Sequence, residues 1–347
     1  MSTEESETQK PSRFKASTRK PLSISTGTLL EARELEPGKP LPLLVRPCVK
    51  GLNLVDWAHG NRQFIEDQLL KHGAILYRGF DVAVAEFQHF IRAVSGELLE
   101  YNERTSPRSV VSGHIYTSTD YPADQSIFFH NENSYQTSWP AKIFFYCETP
   151  PDSGGETPIA DCRRVLKRLS PGAVARFVAR RWMYVRNFGT GLGMPWQTVF
   201  QTSDQQEVER YCTSARIEFE WQDGNRLRTR QVRPAISSHP RTGEMVWFNH
   251  IAFFHLSTLP RDMREALLAE FDESEVPNNT YYGDGSPLEP EVVDEIRLAY
   301  LQEAVSFAWQ AGDILMLDNM LTAHSRAAFR GPRKILVGMS DPITLDN

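Results

Sequence analysis

Short apolar runs rich in β-branched and aromatic residues dominate the chain from about residue 127 to residue 339, and proline and glycine separate them. Runs of this length bounded by turn residues are typical of buried strands. No regular strand-helix-strand alternation connects them, which argues against a doubly wound parallel sheet. We therefore predict a mainly β fold with flanking helices, in the form of a double-stranded β-helix, or jelly-roll.

The predicted strands cover residues 73–79, 127–129, 143–147, 182–185, 217–221, 227–232, 245–248, 306–309, 314–317 and 335–337. Asp223-Gly224-Asn225 lies between two alternating segments, and this arrangement predicts a hairpin. Apolar residues at helical spacing predict helices over 61–71 and 82–94. Ser170-Pro171 is a helix-start signal, since serine caps the amino end and proline fits the first turn.

Two further helices are predicted at 261–271 and 290–303, joined by the turn-rich stretch 277–287. Within that stretch, Tyr281 and Tyr282 are expected in an exposed loop. We interpret residues 261–303, approximately, as a helical insertion in the domain.

The chain of 347 residues is expected to contain a single domain over residues 23–347. Residues 1–22 are polar and poor in apolar side chains, so we expect a flexible tail. A docking arm is the less favoured interpretation of the five basic residues in this tail, which are Lys10, Arg13, Lys15, Arg19 and Lys20.

Composition excludes several classes of partner. The net charge of -6 argues against nucleic acid, because phosphate binding needs a basic surface. No apolar run is long enough to cross a membrane, and the amino terminus lacks the apolar region of a secretory signal. Four cysteines without CxxC spacing suit a reducing compartment, so we expect a cytoplasmic protein with neither a nucleic-acid nor a membrane partner.

The sharpest local motif is His130-Asn131-Glu132. At a strand end, residues two apart project from the same face, so the imidazole and the carboxylate offer two ligands to one divalent metal. A further histidine would complete the two-histidine, one-carboxylate triad of non-haem iron sites, which leaves coordination positions open. Alone, the motif is weak, since a surface histidine beside a glutamate is commonplace.

Other motifs follow in a fixed order along the chain: Gly154-Gly155-Glu156-Thr157, a strand that ends in Asp318-Asn319, His324-Ser325-Arg326, and Gly331-Pro332-Arg333. With His130-Asn131-Glu132 before them, these motifs resemble the TauD/TfdA family of Fe(II)- and 2-oxoglutarate-dependent oxygenases. The resemblance extends over roughly residues 73–339, and the joint match is far more specific than any single motif.

The resemblance implies that His130, Glu132 and His324 bind Fe(II), which would also bind O2 and the cosubstrate 2-oxoglutarate. It implies that Arg333 binds the distal carboxylate of 2-oxoglutarate with help from the hydroxyl of Thr157. A guanidinium suits this task because it clamps a carboxylate through two parallel hydrogen bonds. Competing clamps from the same stretch of sequence are Arg326, Arg330 and Lys334.

Glu132 bears on the reaction type. Halogenating relatives carry a small residue where this carboxylate stands, so the resemblance favours a hydroxylase or a desaturase over a halogenase. Glutamate instead of aspartate, together with the segment 72–80, resembles the amino-acid hydroxylase branch typified by the syringomycin aspartyl hydroxylase, which works beside nonribosomal peptide synthetases. We expect hydroxylation of an aliphatic C–H of an amino acid, free or tethered to a peptidyl carrier protein, in specialised metabolism.

Two alternatives stay open. A desaturase or cyclase would use the same iron chemistry, and a non-catalytic jelly-roll protein would keep only the metal pocket. An acidic substrate would need a cation in the pocket, for which Arg186 and Arg326 are candidates. Asn249 is a third candidate for a substrate contact, because it follows a predicted strand.

Several residues near these motifs allow structural roles instead. We expect His250 and His255 to pack in the core or in a pocket wall, in preference to binding a second metal. Asp313 is expected to make a turn, and Cys147 to be a small buried apolar group. Asp318-Asn319 either makes a turn or hydrogen bonds to a ligating histidine.

Overall fold

The computed structural model describes residues 29–99, 110–119 and 121–344. The predicted flexible tail, residues 1–22, lies outside these ranges, and so does the docking arm considered for it. Within the described residues, no helix combines the length and the apolar character needed to cross a membrane.

The described residues form nineteen strands: β1 Leu30–Glu36, β2 Lys39–Pro47, β3 Ala74–Tyr77, β4 Val110–Ser112, β5 Ile115–Thr117, β6 Ile127–His130, β7 Ser138–Thr149, β8 Ser153–Gly154, β9 Ile159–Asp161, β10 Trp182–Phe188, β11 Glu218–Gln222, β12 Arg226–Arg233, β13 Ile236–Ser238, β14 Met245–Trp247, β15 Asn278–Tyr282, β16 Ile314–Asp318, β17 Thr322–Arg326, β18 Phe329–Arg330 and β19 Lys334–Thr344.

The same residues form ten α-helices: α1 Leu54–Gly60, α2 Arg62–His72, α3 Val84–Val94, α4 Cys162–Arg168, α5 Pro171–Arg180, α6 Trp196–Phe200, α7 Gln205–Ser214, α8 Ile251–Phe254, α9 Arg261–Glu270 and α10 Pro290–Glu303. The helix-start signal at Ser170 is confirmed, since its hydroxyl accepts a hydrogen bond from the backbone N–H of Ala173.

The largest sheet has eight strands in the order β1-β2-β3-β16-β7-β19-β5-β4, and a three-stranded sheet, β6-β17-β9, is its smaller counterpart. Strand β7 shows how the large sheet is packed. Phe144 and Tyr146 belong to the core that contains the helices α1 to α3, whereas Ile143, Phe145 and Cys147 belong to the core shared with β9. Successive side chains of a strand point to opposite faces, so both faces of the sheet are buried.

Burial on both faces explains why these strands are continuous apolar runs in the sequence. With helices outside and two β layers inside, the molecule is mainly β with flanking helices, and the predicted double-stranded β-helix, or jelly-roll, is confirmed. Burial also raises the pKa of the Cys147 thiol to about 12, as expected for a small core residue that stays neutral.

A separate four-stranded sheet, β11-β12-β10-β15, takes one strand from the region 261–303, which was predicted as a helical insertion. Helices α9 and α10 lie at the expected places, but β15 occupies the stretch predicted to be turns and pairs with β10. Tyr282 is fully buried in this strand, so the exposed loop predicted for Tyr281 and Tyr282 is also wrong. The short sequence becomes a strand because β10 offers it an edge, which is a tertiary effect.

The strand predicted at 306–309 is wrong as well. Its side chains Phe307 and Trp309 are buried in the core, but the only pairing among the described residues nearby is a single bridge between Val305 and Ile159. The carbonyl of Ala308 instead accepts a hydrogen bond from the guanidinium of Arg78 at 2.7 Å. The side chain of Arg78 thus supplies the hydrogen bond that a neighbouring strand would otherwise donate to this carbonyl.

Arg78 also forms a buried ion pair with Asp313, with three N–O distances of 2.6 to 3.2 Å. Asp313 accepts a further hydrogen bond from the backbone N–H of Gln310, which closes the turn that precedes β16. The predicted turn role of Asp313 is confirmed. The ion pair ties this turn to the residue that follows β3.

We expect Asp313→Ala to lower the free energy of unfolding by about 3–5 kcal/mol, because it leaves the charge of Arg78 buried without its partner. Urea denaturation measures this loss. Glu31→Ala is the matched control, since it breaks the exposed pair Glu31–Arg33 and should cost less than about 1 kcal/mol. Equal losses in the two variants would contradict the structural role of the buried pair.

Candidate metal centre

Two histidines face each other across a pair of antiparallel strands. His130 is the last residue of β6, and it lies directly opposite His324 in the middle of β17. Directly opposed residues of neighbouring strands bring their Cβ atoms to about 5 Å. The two imidazole rings accordingly lie with their centroids 4.3 Å apart.

Glu132 joins this pair from just beyond the end of β6. One potential ligand atom from each of His130, Glu132 and His324 lies within 4.8 Å of the other two, and Glu132 and His324 are buried. Two imidazole nitrogens and one carboxylate oxygen form the donor set that suits non-haem iron. These three residues therefore fit a divalent metal ion.

Asn319 fixes the backbone of Glu132. Its side-chain oxygen accepts a hydrogen bond from the N–H of Glu132 at 2.8 Å, and its amide nitrogen donates to the carbonyl of Glu132 at 2.9 Å. Asn319 is fully buried in the turn between β16 and β17. It thus links the carboxylate-bearing residue to the strand that carries His324.

Asp318 makes the turn itself. Its carboxylate accepts hydrogen bonds from the backbone N–H groups of Met320 and Leu321, and its other oxygen lies 3.1 Å from His239 Nε2. Asp318 therefore has the turn-forming role, which is one of the two roles considered for Asp318-Asn319. Asn319 hydrogen bonds to the backbone of Glu132.

Arg333 lies at the wall of a cavity of about 860 Å³ that also contains the two histidines and Glu132. Its Nε donates to the carbonyl of Gly155 at 2.9 Å, and no carboxylate of the described residues forms an ion pair with it. Burial, with the nearby charge of Arg326, lowers the pKa of Arg333 to about 10, so the side chain is still a cation at pH 7.

Thr157 lines the same cavity and is buried. Its Oγ accepts a hydrogen bond from the indole N–H of Trp309 at 3.2 Å. Because the indole supplies a donor only, the hydroxyl proton of Thr157 can be donated to another acceptor. Thr157 and Arg333 are therefore both hydrogen-bond donors at the cavity wall.

The glycine pair before Thr157 is explained by close packing. Gly155 has a φ of 68°, and a Cβ there would lie within 3.0 Å of side-chain atoms of Pro151, Phe329 and Arg333. Only glycine fits this backbone conformation and this space without displacing Arg333.

Arg326, Arg330 and Lys334 were the alternatives to Arg333 for binding the cosubstrate, and each lies in a different environment from Arg333. Arg326 is buried, and its guanidinium donates to the backbone carbonyls of Tyr121, Pro122 and Gln125 at 2.5 to 2.8 Å. Arg330 is exposed, and Lys334 forms a surface ion pair with Glu148. Of these cations only Arg326 also borders the cavity, and its hydrogen bonds hold the segment 121–125 that forms one side of it.

The cavity also contains both histidines of the segment 250–255. His250 Nδ1 lies 2.6 Å from the hydroxyl of Ser134, and burial followed by the charge of His130 lowers the pKa of His250 well below its usual value. His255 has its pKa lowered to about 4 by burial and by the charges of Arg297 and Arg264. Neither belongs to the cluster of possible metal ligands found among the described residues.

The three predicted substrate contacts lie in different surroundings. Asn249 does not line the cavity, because its amide donates to the carbonyl of Ala235 and its oxygen accepts from the N–H of Ile251. Both polar ends of this amide are thus engaged by the backbone, and the role of Asn249 as a substrate contact stays a prediction. Arg326 holds backbone carbonyls, as described above, and Arg186 lines the cavity.

Of the wall formed by the four-stranded sheet, only Arg186 was a candidate from the sequence. Tyr184, Arg186 and Phe188 alternate along β10, and all three line the cavity. The spacing of two was visible in the sequence and indicates one shared face. Asn278, from the strand that was predicted to be a loop, joins them.

Comparison with known proteins agrees with this geometry. The model of the family "Taurine catabolism dioxygenase TauD, TfdA family" matches residues 37–340. The dapdiamide synthesis protein DdaC of Enterobacter agglomerans is 40% identical over 280 residues, which cover 80% of this chain and 85% of DdaC. A clavaminate synthase-like protein of Arabidopsis thaliana is 31% identical over 291 residues, which cover 80% of this chain and 84% of that protein.

Solved structures share the fold. The structure of PvcB from Pseudomonas aeruginosa matches with a TM-score of 0.52 and 14% identity, covering 92% of this chain and 94% of PvcB. A second structure of PvcB is described as an Fe, alpha-ketoglutarate dependent oxygenase from an isonitrile synthetic pathway. It matches with a TM-score of 0.52 and 15% identity, and the match covers 91% of this chain and 92% of PvcB. At 14–15% identity, these matches show a shared fold and no more.

The family match spans most of the chain, and it includes every motif that predicted it. The chain therefore belongs to the TauD/TfdA family, a family of non-haem Fe(II)- and 2-oxoglutarate-dependent dioxygenases.

Proposed function

We propose that this enzyme hydroxylates an aliphatic C–H bond of an amino acid, either free or tethered to a peptidyl carrier protein, in a biosynthetic pathway. The observation that carries the proposal is the cross-strand pair His130–His324 with Glu132 beside it, at the wall of a large cavity. Two similar proteins support it, since DdaC is named for dapdiamide synthesis and PvcB belongs to an isonitrile synthetic pathway. The cytoplasm is the proposed location, because cysteines without CxxC spacing suit a reducing compartment.

In this proposal His130, Glu132 and His324 hold Fe(II). When bound, the iron supplies O2 activation coupled to the conversion of 2-oxoglutarate to succinate and CO2, which provides the oxidant for the C–H bond. The protein contributes three ligands and leaves further positions for cosubstrate and oxygen. The carboxylate of Glu132 offsets part of the metal charge in a buried place, where charge is costly without a partner.

Arg333 and Thr157 are proposed to bind the distal carboxylate of 2-oxoglutarate. Arg333 supplies a cation that forms no direct ion pair with a carboxylate of the described residues, and Thr157 supplies a hydroxyl whose proton is available to donate. Charge-assisted hydrogen bonds of this kind are stronger than neutral ones, particularly away from water. Together the two side chains set the direction in which the cosubstrate reaches the metal.

The cavity wall has the task of positioning the substrate. Aromatic side chains such as Phe253, Phe254 and Tyr184 line it, and they exclude water around a reactive centre. Glu132 fills the position that a halide would need, so the proposal is hydroxylation in preference to halogenation. A desaturation or cyclisation uses the same residues, and the product distinguishes it.

The first test concerns the metal. We expect His130→Ala to weaken Fe(II) binding by more than about a hundredfold, since it removes one of three protein ligands. Anaerobic equilibrium dialysis followed by metal analysis measures binding. The weak visible charge-transfer band should appear only when Fe(II) and 2-oxoglutarate are both added to the wild-type protein.

His89→Ala is the matched control, because His89 is exposed on α3 and should leave iron binding unchanged. Wild-type iron affinity in the His130→Ala protein, with its fold intact by circular dichroism, would refute the proposed ligand set.

The second test concerns the cosubstrate. We expect Arg333→Gln to raise the Kd of 2-oxoglutarate at least tenfold, about 1.4 kcal/mol, because it removes the charged partner of the distal carboxylate. Titration of the charge-transfer band of the Fe(II)-loaded protein gives this Kd. Arg330→Gln removes an exposed arginine of the same segment and should have no effect. A larger effect of Arg330→Gln would move the clamp to Arg330.

The third test concerns the reaction. With O2 and a panel of amino acids, free and as thioesters on a carrier protein, we expect release of succinate and a product that gains one oxygen atom. Mass spectrometry detects this product. A product that has lost two hydrogen atoms would establish desaturation or cyclisation instead, and iron binding without substrate-stimulated succinate would favour the non-catalytic alternative.

A further inference from the structure

A cation lies in the part of the cavity wall that the four-stranded sheet forms. Arg186 is buried, with 8% of its surface exposed, and it borders the cavity between Tyr184 and Phe188 on the same face of β10. Its guanidinium carbon lies 4.7 Å from the ring centroid of Phe188 and 5.7 Å from that of Tyr184. Such contacts hold a cation in place by attraction to the aromatic rings.

A carboxamide lies next to this cation. Asn278 of β15 is directly opposite Arg186 in the register of β10 and β15, and it also lines the cavity. Directly opposed residues share one face of a sheet, so the two polar side chains reach the cavity side by side. Together they offer several N–H donors within an otherwise aromatic wall.

A continuous series of aromatic contacts separates Arg186 from the metal centre. The ring of His130 lies 4.8 Å from that of Phe253, and Phe253 lies 4.9 Å from Phe254. Phe254 stacks on Tyr184 at 4.1 Å with an interplanar angle of 8°. Arg186 follows Tyr184 along the strand. A ligand that contacts Arg186 therefore crosses an apolar surface before it reaches the metal.

Two other arginines, Arg326 and Arg333, line the cavity. Arg333 is the proposed partner of the cosubstrate, and Arg326 holds three backbone carbonyls. His255, which also borders the cavity, is neutral at pH 7 because burial lowers its pKa to about 4. Arg186 instead lies in the aromatic wall that contains Tyr184 and Phe188, and this position makes it a candidate cation for the substrate.

We propose that Arg186, together with Asn278, binds a carboxylate of the substrate and thereby places a carbon remote from that carboxylate at the metal centre. This inference rests on the proposed function. It assigns the substrate to organic acids with an apolar portion between the carboxylate and the oxidised carbon. The volume of about 860 Å³ agrees with a ligand longer than a single small amino acid beside the cosubstrate.

Whether the substrate is tethered or free decides which of its carboxylates is available to Arg186. An amino acid that is tethered through a thioester has no free α-carboxylate, so Arg186 would then bind a side-chain carboxylate. A free amino acid can offer its α-carboxylate. In both cases the guanidinium recognises the same planar group through two parallel hydrogen bonds.

Calorimetric titration under anaerobic conditions tests the proposal. The protein is saturated with 2-oxoglutarate, with and without Fe(II), and titrated with pairs of probes that differ only in a carboxylate or carboxamide. L-Glutamate with L-glutamine tests a side-chain carboxylate, and L-leucine with L-leucinamide tests an α-carboxylate. We expect at least one acid to bind about tenfold or more tightly than its amide.

In Arg186→Gln we expect this preference to fall to less than about threefold, and in Arg186→Lys to lie between the two values, because lysine keeps the charge without the planar fork. Arg230→Gln is the matched control, since Arg230 lies on the same sheet in a surface pair with Glu220. Thermal melting and circular dichroism verify the fold of each variant.

Equal binding of acid and amide to the wild-type protein, or no binding of either, would overturn the proposal. A preference that persists in Arg186→Gln would overturn it too. If Arg186→Gln does not fold, Arg186→Lys decides, since an unchanged preference there would exclude a bidentate contact. Failure of the metal proposal is a separate result, because acid binding to Arg186 is expected without Fe(II) as well.

Discussion

The antiparallel pairing of β6 with β17 is the constraint on which the candidate site depends. It brings His130 and His324 face to face, and the turn before β17 supplies Asn319, which binds both the N–H and the carbonyl of Glu132. Because β17 also pairs with β9, the strand that carries His324 is held on both edges. Backbone hydrogen bonds, more than side-chain packing, therefore decide whether three potential ligands meet.

The sequence predicted the structure correctly where the type of residue alone restricts its role. The apolar runs of the large sheet were recognisable because both faces of the sheet are buried, and the ordered motifs identified the histidines and Glu132 because their chemistry is specific. Prediction was wrong where a distant neighbour decides the outcome. β15 is a strand because β10 lies beside it, whereas 306–309 is not one, because Arg78 takes a carbonyl there.

The same distinction applies to the site. Asn249 was expected to contact substrate because it follows a strand, but its amide is occupied by the backbone around it. Several arginines were equivalent in the sequence, and their surroundings separate them. Arg326 holds backbone carbonyls, Arg333 donates to the carbonyl of Gly155 at the cavity wall, and Arg186 lies in an aromatic wall. No local pattern encodes these surroundings, since each depends on segments far apart in the chain.

The clamp between Asn319 and Glu132 joins positions that are 187 residues apart. In the unfolded chain such a separation makes their encounter entropically costly. A metal ion bound at the cluster would bind the native state and not the open chain, and its binding energy would add directly to folding stability. Iron supply would then govern the lifetime of this enzyme as well as its catalysis, so that metal-starved molecules would be the first to be lost to proteolysis.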